Sequence, residues 1–191
     1  MAIGRRLLMR MFGRPTGVLG RFGGRIMARA NRRAAARVIG LLDVQPGDRV
    51  LEIGFGPGVA LGALAERASP GTVAGIDPSR EMVAQASARN AAAMRAGRVA
   101  LRQGSADNLP FAGNSFDEVV AINSVQVWPD PVAGLREVRR VLKPGGRLAL
   151  GFTPYAAQSN AAVTAAIAAA GFGSPRVVES PEALCFIASK S

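Results

Sequence analysis

Residues 50–58 read Val50-Leu-Glu-Ile-Gly-Phe-Gly-Pro-Gly58, a short apolar run that ends at three alternating glycines. Glycine adopts backbone conformations that other residues avoid, so this spacing predicts a strand that turns sharply into a helix. The Gly-x-Gly-x-x-Gly spacing of dinucleotide sites is not met, because Val59 stands where the third glycine would be. Glu52, at the end of the strand, would repel a pyrophosphate but suits the ammonium group of an amino-acid-bearing ligand.

The chain around this loop alternates between strands and helices. The last two strands have too short a connection for a crossover helix, so we expect them to pair as a hairpin. The pattern predicts a Rossmann-like α/β fold: an open seven-stranded sheet, mostly parallel with a C-terminal antiparallel hairpin, and helices on both faces. Strands are predicted at 49–53, 72–76, 99–102, 117–123, 147–153, 175–179 and 183–189. Helices are predicted at 25–42, 79–96 and 160–170. Two further helices are predicted, one directly after the glycine loop and one that begins at Asp130-Pro131 and is stopped by Lys143-Pro-Gly-Gly146.

Two polar stretches follow the second and third predicted strands. Asp77 can accept hydrogen bonds from both hydroxyls of a ribose, or it can serve as an acid at a helix N-terminus. The segment Ser105-Ala-Asp-Asn-Leu-Pro-Phe111 either borders an adenine ring or caps a turn. A glycine loop followed by these stretches predicts a site for a nucleoside that carries an amino acid.

These motifs closely resemble class I S-adenosylmethionine-dependent methyltransferases over about residues 44–191. The resemblance is greatest to the small-molecule branch that includes the menaquinone/ubiquinone C-methyltransferases. It implies an enzyme that transfers a methyl group from S-adenosyl-L-methionine to a small hydrophobic acceptor, leaves S-adenosyl-L-homocysteine, and uses no metal. The matching stretches are Val50–Gly58, Gly75–Ser79, Ser105–Phe111, Phe116–Val120 and Leu135–Gly146.

The resemblance also implies which residues bind the cofactor. The glycine loop with Glu52 would hold the methionine part, Asp77 the ribose, and Ser105 with Ala106 the adenine. Asn123 would lie beside the methionine part and the transferring methyl. Many relatives carry aspartate at Ser105 and a histidine near Gln126, so a histidine base cannot be carried over. The predicted cofactor-binding set is Glu52, Gly54, Phe55, Gly56, Gly58, Asp77, Pro78, Ser105, Ala106 and Asn123.

The residues that would contact the methyl acceptor are less clearly indicated than those that would bind the cofactor. Methyl transfer from a sulfonium is an in-line displacement, and alignment in a desolvated site supplies much of its catalysis. A neutral amine, a thiolate or a stabilised carbanion needs no protein base, whereas a phenol or alcohol benefits from one. Trp128 and Tyr155 are equally well explained as packing residues. Candidates near the acceptor are Asn123, Gln126, Trp128, Tyr155 and Asn31.

Positive charge is concentrated at the N-terminus of the chain. The formal net charge is +11, and residues 1–43 hold ten arginines against one acid, while the remainder holds fourteen basic and twelve acidic residues. We expect residues 1–43 to form a basic, glycine-containing helical extension and residues 44–191 the methyltransferase domain. Residues 3–12 suit either a helix that lies on a membrane or one packed on the domain.

Three roles remain open for this extension. It is a candidate cover for the active site, which would bring Met27, Asn31 or Arg32 near the methyl group. Residues 1–37 are also a candidate anchor to an anionic membrane surface, where the acceptor would be a lipid or a quinone-like molecule. A nucleic-acid-binding module without catalysis is the third reading, and the scarcity of aromatic residues beside the arginines argues against it.

Other classes of protein are excluded by composition. A single cysteine, Cys185, rules out an intramolecular disulfide, and its apolar neighbours indicate a buried, inert thiol. The chain has no histidine, which excludes histidine-based triads and histidine-ligated zinc. We expect a cytoplasmic protein, with peripheral membrane association as the alternative, because no run of eighteen apolar residues is present.

Overall fold

The computed structural model describes residues 32–154, 156 and 158–191. Within that part of the chain seven strands form one sheet in the order β3-β2-β1-β4-β5-β7-β6. The predicted fold class is confirmed. The strands are β1 (Arg49–Ile53), β2 (Thr72–Asp77), β3 (Val99–Gln103), β4 (Phe116–Ile122), β5 (Leu142–Phe152), β6 (Arg176–Glu179) and β7 (Leu184–Ser189).

The direction of the strands places a crevice at the centre of the sheet. β1 to β5 run parallel, while β7 is antiparallel to both β5 and β6, so the expected C-terminal hairpin forms. The strand order reverses between β1 and β4, which pair as neighbours. In open α/β sheets ligands bind outside the carboxyl ends of the strands at such a reversal.

Helices cover both faces of this sheet. Two of these helices begin where the sequence predicts, each with a side chain that caps its first turn. Ser79 Oγ accepts from the Met82 N–H at 3.4 Å. Asp130 Oδ1 accepts from the N–H groups of Val132 and Ala133 at 2.9 and 3.0 Å. The described helices are α1 (32–42), α2 (Val59–Ala68), α3 (Arg80–Arg89), α4 (Ala91–Arg95), α5 (Pro131–Val141) and α6 (Asn160–Ala169).

The core consists of one apolar cluster on each face. α1, α2 and α3 contribute to the first cluster, and α5 and α6 to the second. Val38 of α1 is fully buried and approaches Gly151 of β5 so closely that a side chain at 151 would overlap it. The described end of the N-terminal extension is therefore part of the packed body, and the boundary at residue 43 stays a prediction.

Two predicted elements differ from those observed. The single helix expected over 79–96 is divided at Asn90, whose side-chain amide donates to the carbonyls of Ala86 and Gly58 at 2.9 and 3.0 Å. The fifth strand begins at Leu142, five residues earlier than expected. The preceding helix ends at Val141, and Leu142 already pairs with Phe116 of β4, so Lys143–Gly146 becomes part of β5. Gly145 has φ of +77°, and the register between β4 and β5 shifts beside this segment. Cys185 is buried in β7, as predicted.

Candidate functional site

The glycine loop joins β1 to α2 and depends on glycine at two close contacts. Gly54 and Gly58 both have φ of +72°, in the left-handed region that other residues rarely adopt. A side chain at 54 would overlap Ser124, and one at 58 would lie 2.7 Å from atoms of Ala86 and Asn90. The Ser124 hydroxyl donates to the Ile53 carbonyl at 2.8 Å, which ties the end of β1 to the segment after β4. Packing therefore holds the loop in one shape.

Gly56 is the open point of this loop. Its φ is +52°, and a Cβ there would meet no atom within 4 Å. Its N–H donates to Asp77 Oδ2 at 2.9 Å, so the loop is also linked to the end of β2. A ligand can therefore approach the main chain at residue 56 without meeting a side chain.

Two cavities open on either side of the loop. Gly54, Gly56 and Asn123 line both. The larger cavity also contains the predicted residues Asp77, Pro78, Ser105, Ala106 and Trp128, and the smaller one contains Glu52 and Phe55. Phe55 is 4% exposed and packs against Gly75, so its side chain mainly supports the wall. Most of the predicted cofactor-binding set thus meets at the β1/β4 crevice.

Asp77 forms a polar wall of the larger cavity. Its Oδ1 accepts from the Ser79 N–H and its Oδ2 from the Gly56 N–H, both at 2.9 Å. Burial raises the pKa of Asp77, and these two N–H donors oppose that rise. Each carboxylate oxygen has more than one lone pair, so both can still accept from a diol.

Glu52 is the least compensated charge of the site. Its side chain is 3% exposed, and Oε2 has no hydrogen-bond partner among the described residues. Desolvation, followed by repulsion from Asp77, raises the pKa of Glu52 to about 8. A buried carboxylate without a donor is costly, so this position suits a ligand that brings a cation.

Asn123 stands between the two cavities. It follows β4 with φ of +51°, and its N–H donates to the Gly151 carbonyl at 2.8 Å. Its Oδ1 accepts from the N–H of Thr153 at 2.8 Å and from the Thr153 hydroxyl at 3.3 Å. Thr153 and Ser124 were not predicted as site residues, because neither belongs to a motif and both act through contacts across the sheet.

Trp128 both packs against a helix and lines a cavity, and its contact with an acceptor stays a prediction. Its ring packs so closely on Gly134 of α5 that a side chain at 134 would lie 2.5 Å from Trp128 Cε3, and it also lines the larger cavity. Beside it, Val127 is 42% exposed at the rim of that cavity. Sequence reasoning overlooked several apolar lining residues, namely Ile53, Ile76, Met82, Val127 and Pro129.

Some predicted residues are not brought to the cavities. Gln126 is exposed on the short 3₁₀ helix Val125–Val127 and lines neither cavity. Gly58, the last glycine of the loop, is buried and lines neither cavity. Arg32 is exposed at the start of α1. Met27, Asn31 and Tyr155 lie outside the described residues.

The described part of the chain contains neither a candidate metal-ligating cluster nor a helix suited to span a membrane. No cluster of three or more potential metal-ligating His, Cys, Asp or Glu side chains occurs in residues 32–154, 156 and 158–191. None of the helices within those same limits has the length and apolar character needed to cross a bilayer.

Comparison with known proteins identifies the family. A model of the methyltransferase domain matches residues 51–150. The uncharacterized methyltransferase YdaC of Bacillus subtilis is 33% identical over 137 residues, which cover 72% of this chain and 74% of that protein. The ubiquinone/menaquinone biosynthesis C-methyltransferase UbiE of Geotalea daltonii is 38% identical over 106 residues, covering 55% of this chain and 45% of that protein. This chain therefore spans less than half of UbiE.

A solved structure agrees with the fold. The SAM-dependent methyltransferase from Aquifex aeolicus superposes with a TM-score of 0.76 at 23% identity, over 85% of this chain and 93% of that chain. The family match extends from β1 through most of β5, so it contains the glycine loop, Asp77 and Asn123. The chain belongs to the methyltransferase domain family, as a class I S-adenosylmethionine-dependent methyltransferase of the small-molecule branch.

Proposed function

We propose that the chain methylates a small, hydrophobic acceptor, with its cofactor spanning the two cavities on either side of the glycine loop. The observation that carries the proposal is the buried carboxylate of Glu52, which lines the smaller cavity with one oxygen that no described residue satisfies. S-adenosylmethionine supplies an electrophilic methyl on a sulfonium and an ammonium group at its amino-acid end. A cation at that position would offset the cost of burying the Glu52 charge.

The residues present suit each part of this cofactor. Asp77 would accept from the ribose hydroxyls in the larger cavity, with Ser105 and Ala106 beside the adenine. Gly56 would let the ligand pass close to the main chain. Glu52 would accept from the ammonium group in the smaller cavity. Asp77 and Glu52 both line these cavities. Each acid attracts a cationic ligand when it is ionised, and neither offers a positive charge to a pyrophosphate, so the pair favours a cationic ligand over a dinucleotide.

The walls of the cavities support a hydrophobic acceptor. Among the described lining residues, Asp77 and Glu52 are the ionisable ones, and the proposal assigns both to the cofactor. The remaining side chains near the rim are largely apolar, including Val127, Trp128 and Ile122. A charged acceptor would find no counter-ion in this lining.

The same lining supports catalysis by alignment. The described residues of both cavities offer no lysine or cysteine that would take a proton from the acceptor near neutral pH. An acceptor that is already ionised, or that carries a neutral nitrogen, needs no such group. Holding that atom in line with the methyl and excluding water would then supply most of the rate enhancement.

Titration calorimetry on the full chain tests the cofactor part of the proposal. We expect S-adenosylhomocysteine and S-adenosylmethionine to bind and NADH not to bind. Glu52→Gln removes the charge partner of the ammonium group, so binding should weaken about 100-fold. Glu66→Gln, an exposed carboxylate of α2, is the matched control and should bind like the wild type.

Binding of NADH in place of either sulfur compound would refute the proposal. A screen of small acceptors with cofactor labelled in the methyl group then identifies the substrate. Transfer of label to charged, hydrophilic acceptors in preference to apolar ones would contradict the proposed acceptor class.

A second candidate rests on the charge of the N-terminal segment. Residues 1–43 hold ten arginines and one acid, which favours attraction to anionic lipid and a lipid- or quinone-like acceptor. We expect co-sedimentation with vesicles that contain phosphatidylserine and not with neutral vesicles. Replacing Arg5, Arg6 and Arg10 by glutamine should release the protein, and equal binding to neutral vesicles would exclude this candidate.

A further inference from the structure

Helix α5 holds the segment after β3 through one pair of charged side chains. Glu137 Oε2 accepts from the main-chain N–H of Leu109 at 2.9 Å. Arg140 donates to the Leu109 carbonyl from Nη2 at 3.0 Å and to the Phe111 carbonyl from Nη1 at 2.8 Å. Two residues of α5 therefore bind three main-chain groups of one short segment.

Glu137 and Arg140 also orient each other, as an ion pair between residues three apart on the helix. Arg140 donates to both carboxylate oxygens of Glu137, from Nε to Oε1 at 2.7 Å and from Nη2 to Oε2 at 2.8 Å. The hydrogen bond from Arg140, opposed by burial and supported by the Leu109 N–H, lowers the pKa of Glu137. This contact through two bonds fixes the plane of the guanidinium, so its other N–H groups face the segment.

A contribution to overall stability explains this ion pair poorly. The Arg140 side chain is 41% exposed and the Glu137 side chain 22%, and pairs this accessible add little to the free energy of unfolding. Leu109, in contrast, is 3% exposed, and without Glu137 its N–H would have no partner among the described residues. The ion pair therefore matters more for the shape of the segment than for the stability of the fold.

The segment held in this way forms one wall of the larger cavity. Ser105 and Ala106 line that cavity. Ser105 also forms a β-bridge with Asn108, which closes a turn directly before Leu109. The contacts of the ion pair with Leu109 therefore fix the end of the turn that carries the two lining residues.

A second contact places α5 against the same turn. A Cβ added at Gly134 would lie 3.3 Å from the Cβ of Ala106. Gly134, Glu137 and Arg140 follow one another at intervals of three residues, so they lie along one side of the helix. This side of α5 supports the wall, although no residue of α5 lines either cavity.

We propose that Glu137 and Arg140 are positioning residues, which act as one unit to hold the turn after β3 in the shape that receives the base of the cofactor. The proposal rests on the proposed function, because that function places the adenine beside Ser105 and Ala106. Neither positioning residue would touch the cofactor. They would order the wall before the ligand arrives, so that binding need not restrict that segment.

Hydrogen exchange on the unliganded full chain tests the positioning itself. Glu137→Ala removes the acceptor for an N–H of the segment, and Arg140→Met removes the donors to its two carbonyls. In both variants amide exchange in residues 105–111 should be at least about tenfold faster, while exchange in β1 and β4 stays as in the wild type. Arg136→Met is the matched control, because Arg136 of the same helix donates to a carbonyl of α6 and not to the segment.

Calorimetry then separates the base from the rest of the ligand. We expect S-adenosylhomocysteine to bind about 5- to 10-fold more weakly to each variant, because binding must then also order the turn. S-ribosylhomocysteine, which lacks the base, should bind each variant as it binds the wild type. The double variant Glu137→Ala with Arg140→Met should lose no more affinity than either single variant, because each substitution already breaks the unit.

Three results would overturn the inference. Unchanged exchange in residues 105–111 of both variants would show that the ion pair does not hold the segment. Faster exchange with unchanged affinity for S-adenosylhomocysteine would show that the order of the segment does not matter to the ligand. Equal losses for both ligands would show a general effect on the fold. Failure of the wild-type chain to bind S-adenosylhomocysteine would instead refute the proposed function, and the exchange experiment would still decide whether the ion pair orders the segment.

Discussion

Glu52 and Glu118 are two buried glutamates whose surroundings differ in one decisive respect. Each is 3% exposed, and each has one oxygen without a partner among the described residues. Glu118, near the amino end of β4, accepts from Nε and Nη2 of Arg147 at 2.8 and 2.6 Å. Glu52, near the carboxyl end of β1, has no described cation beside it and lines a cavity. The Glu118 charge is balanced within the fold by Arg147, whereas no described cation balances Glu52.

The acidities of the two groups reflect this difference. Burial raises the pKa of Glu118 to about 7 even though Arg147 lowers it. Burial and repulsion from Asp77 raise the pKa of Glu52 to about 8. Arg147 also donates to the Asp43 carbonyl at 2.8 Å, so this pair secures the end of α1. Burial of a charge alone therefore does not mark a functional site, and a missing partner beside a cavity is the better sign.

The largest effect on stability is expected from Glu52→Gln in the unliganded protein. Because the pKa of Glu52 rises from 4.5 to about 8 on folding, the native state loses stability as pH increases from 4.5 to 8. The glutamine variant lacks this loss. At pH 9 it should be more stable than the wild type by about 2–4 kcal/mol, and at pH 4 nearly equal to it. Urea unfolding at both pH values measures the difference, and a gain that does not depend on pH would contradict the explanation.

Arg147→Met should have the opposite effect. Removing the partner of a buried carboxylate leaves that charge uncompensated, so we expect a loss of about 3 kcal/mol at pH 8. Binding of S-adenosylhomocysteine should change less than about twofold, because Glu118 lines neither cavity. The matched control is Lys143→Met, which breaks the more exposed pair with Asp117 and should cost less than about 1 kcal/mol. If Arg147→Met lost affinity for S-adenosylhomocysteine but kept its stability, Glu118 would belong to the binding site, and its contrast with Glu52 would be wrong.

The smallest effect concerns the pH dependence of cofactor binding. Below its pKa of about 8, Glu52 carries a proton that must leave before an ammonium group can pair with it. Lowering the pH from 8.5 to 6.5 should therefore weaken S-adenosylmethionine binding about 20-fold, since each unit below the pKa costs about 1.4 kcal/mol. Calorimetry in buffers of different ionisation enthalpy should detect proton release. Glu52→Gln should show a flat profile over this range, and a wild-type profile equally flat would contradict this role of Glu52.

Much of the fold could be predicted because its signals are local. The apolar runs identified every described strand, and Ser79 and Asp130 identified two helix starts from residues adjacent in sequence. The prediction was wrong at Asn90, where a helix of good propensity is interrupted by hydrogen bonds that include one to the Gly58 carbonyl, 32 residues away. It was wrong again at Leu142, which joins β5 through its pairing with Phe116. Both errors arise where a distant partner outweighs the local preference.

Part of the candidate site could be located in the same way. The three glycines follow β1, Glu52 lies near the carboxyl end of that strand, and Asp77 ends β2. The topology alone therefore brings them to one edge of the sheet. The supporting residues Ser124, Thr153 and Asn90 carry no local signal, because each acts on a main-chain or side-chain atom 30 or more residues away. The roles of the predicted cofactor-binding residues, and of residues 1–43, stay predictions.

The amino-acid sequence by itself determined the class of the protein: alternating elements, a loop that only glycine permits, and acids at the carboxyl ends of two neighbouring strands. These properties depend on backbone preferences and on the repeating direction of side chains along the chain. The tertiary structure alone decided which buried acid is compensated and that the side-chain oxygen of Asn123 accepts from Thr153. Burial and hydrogen bonding depend on elements that meet across the sheet, and no single segment of the sequence contains both partners.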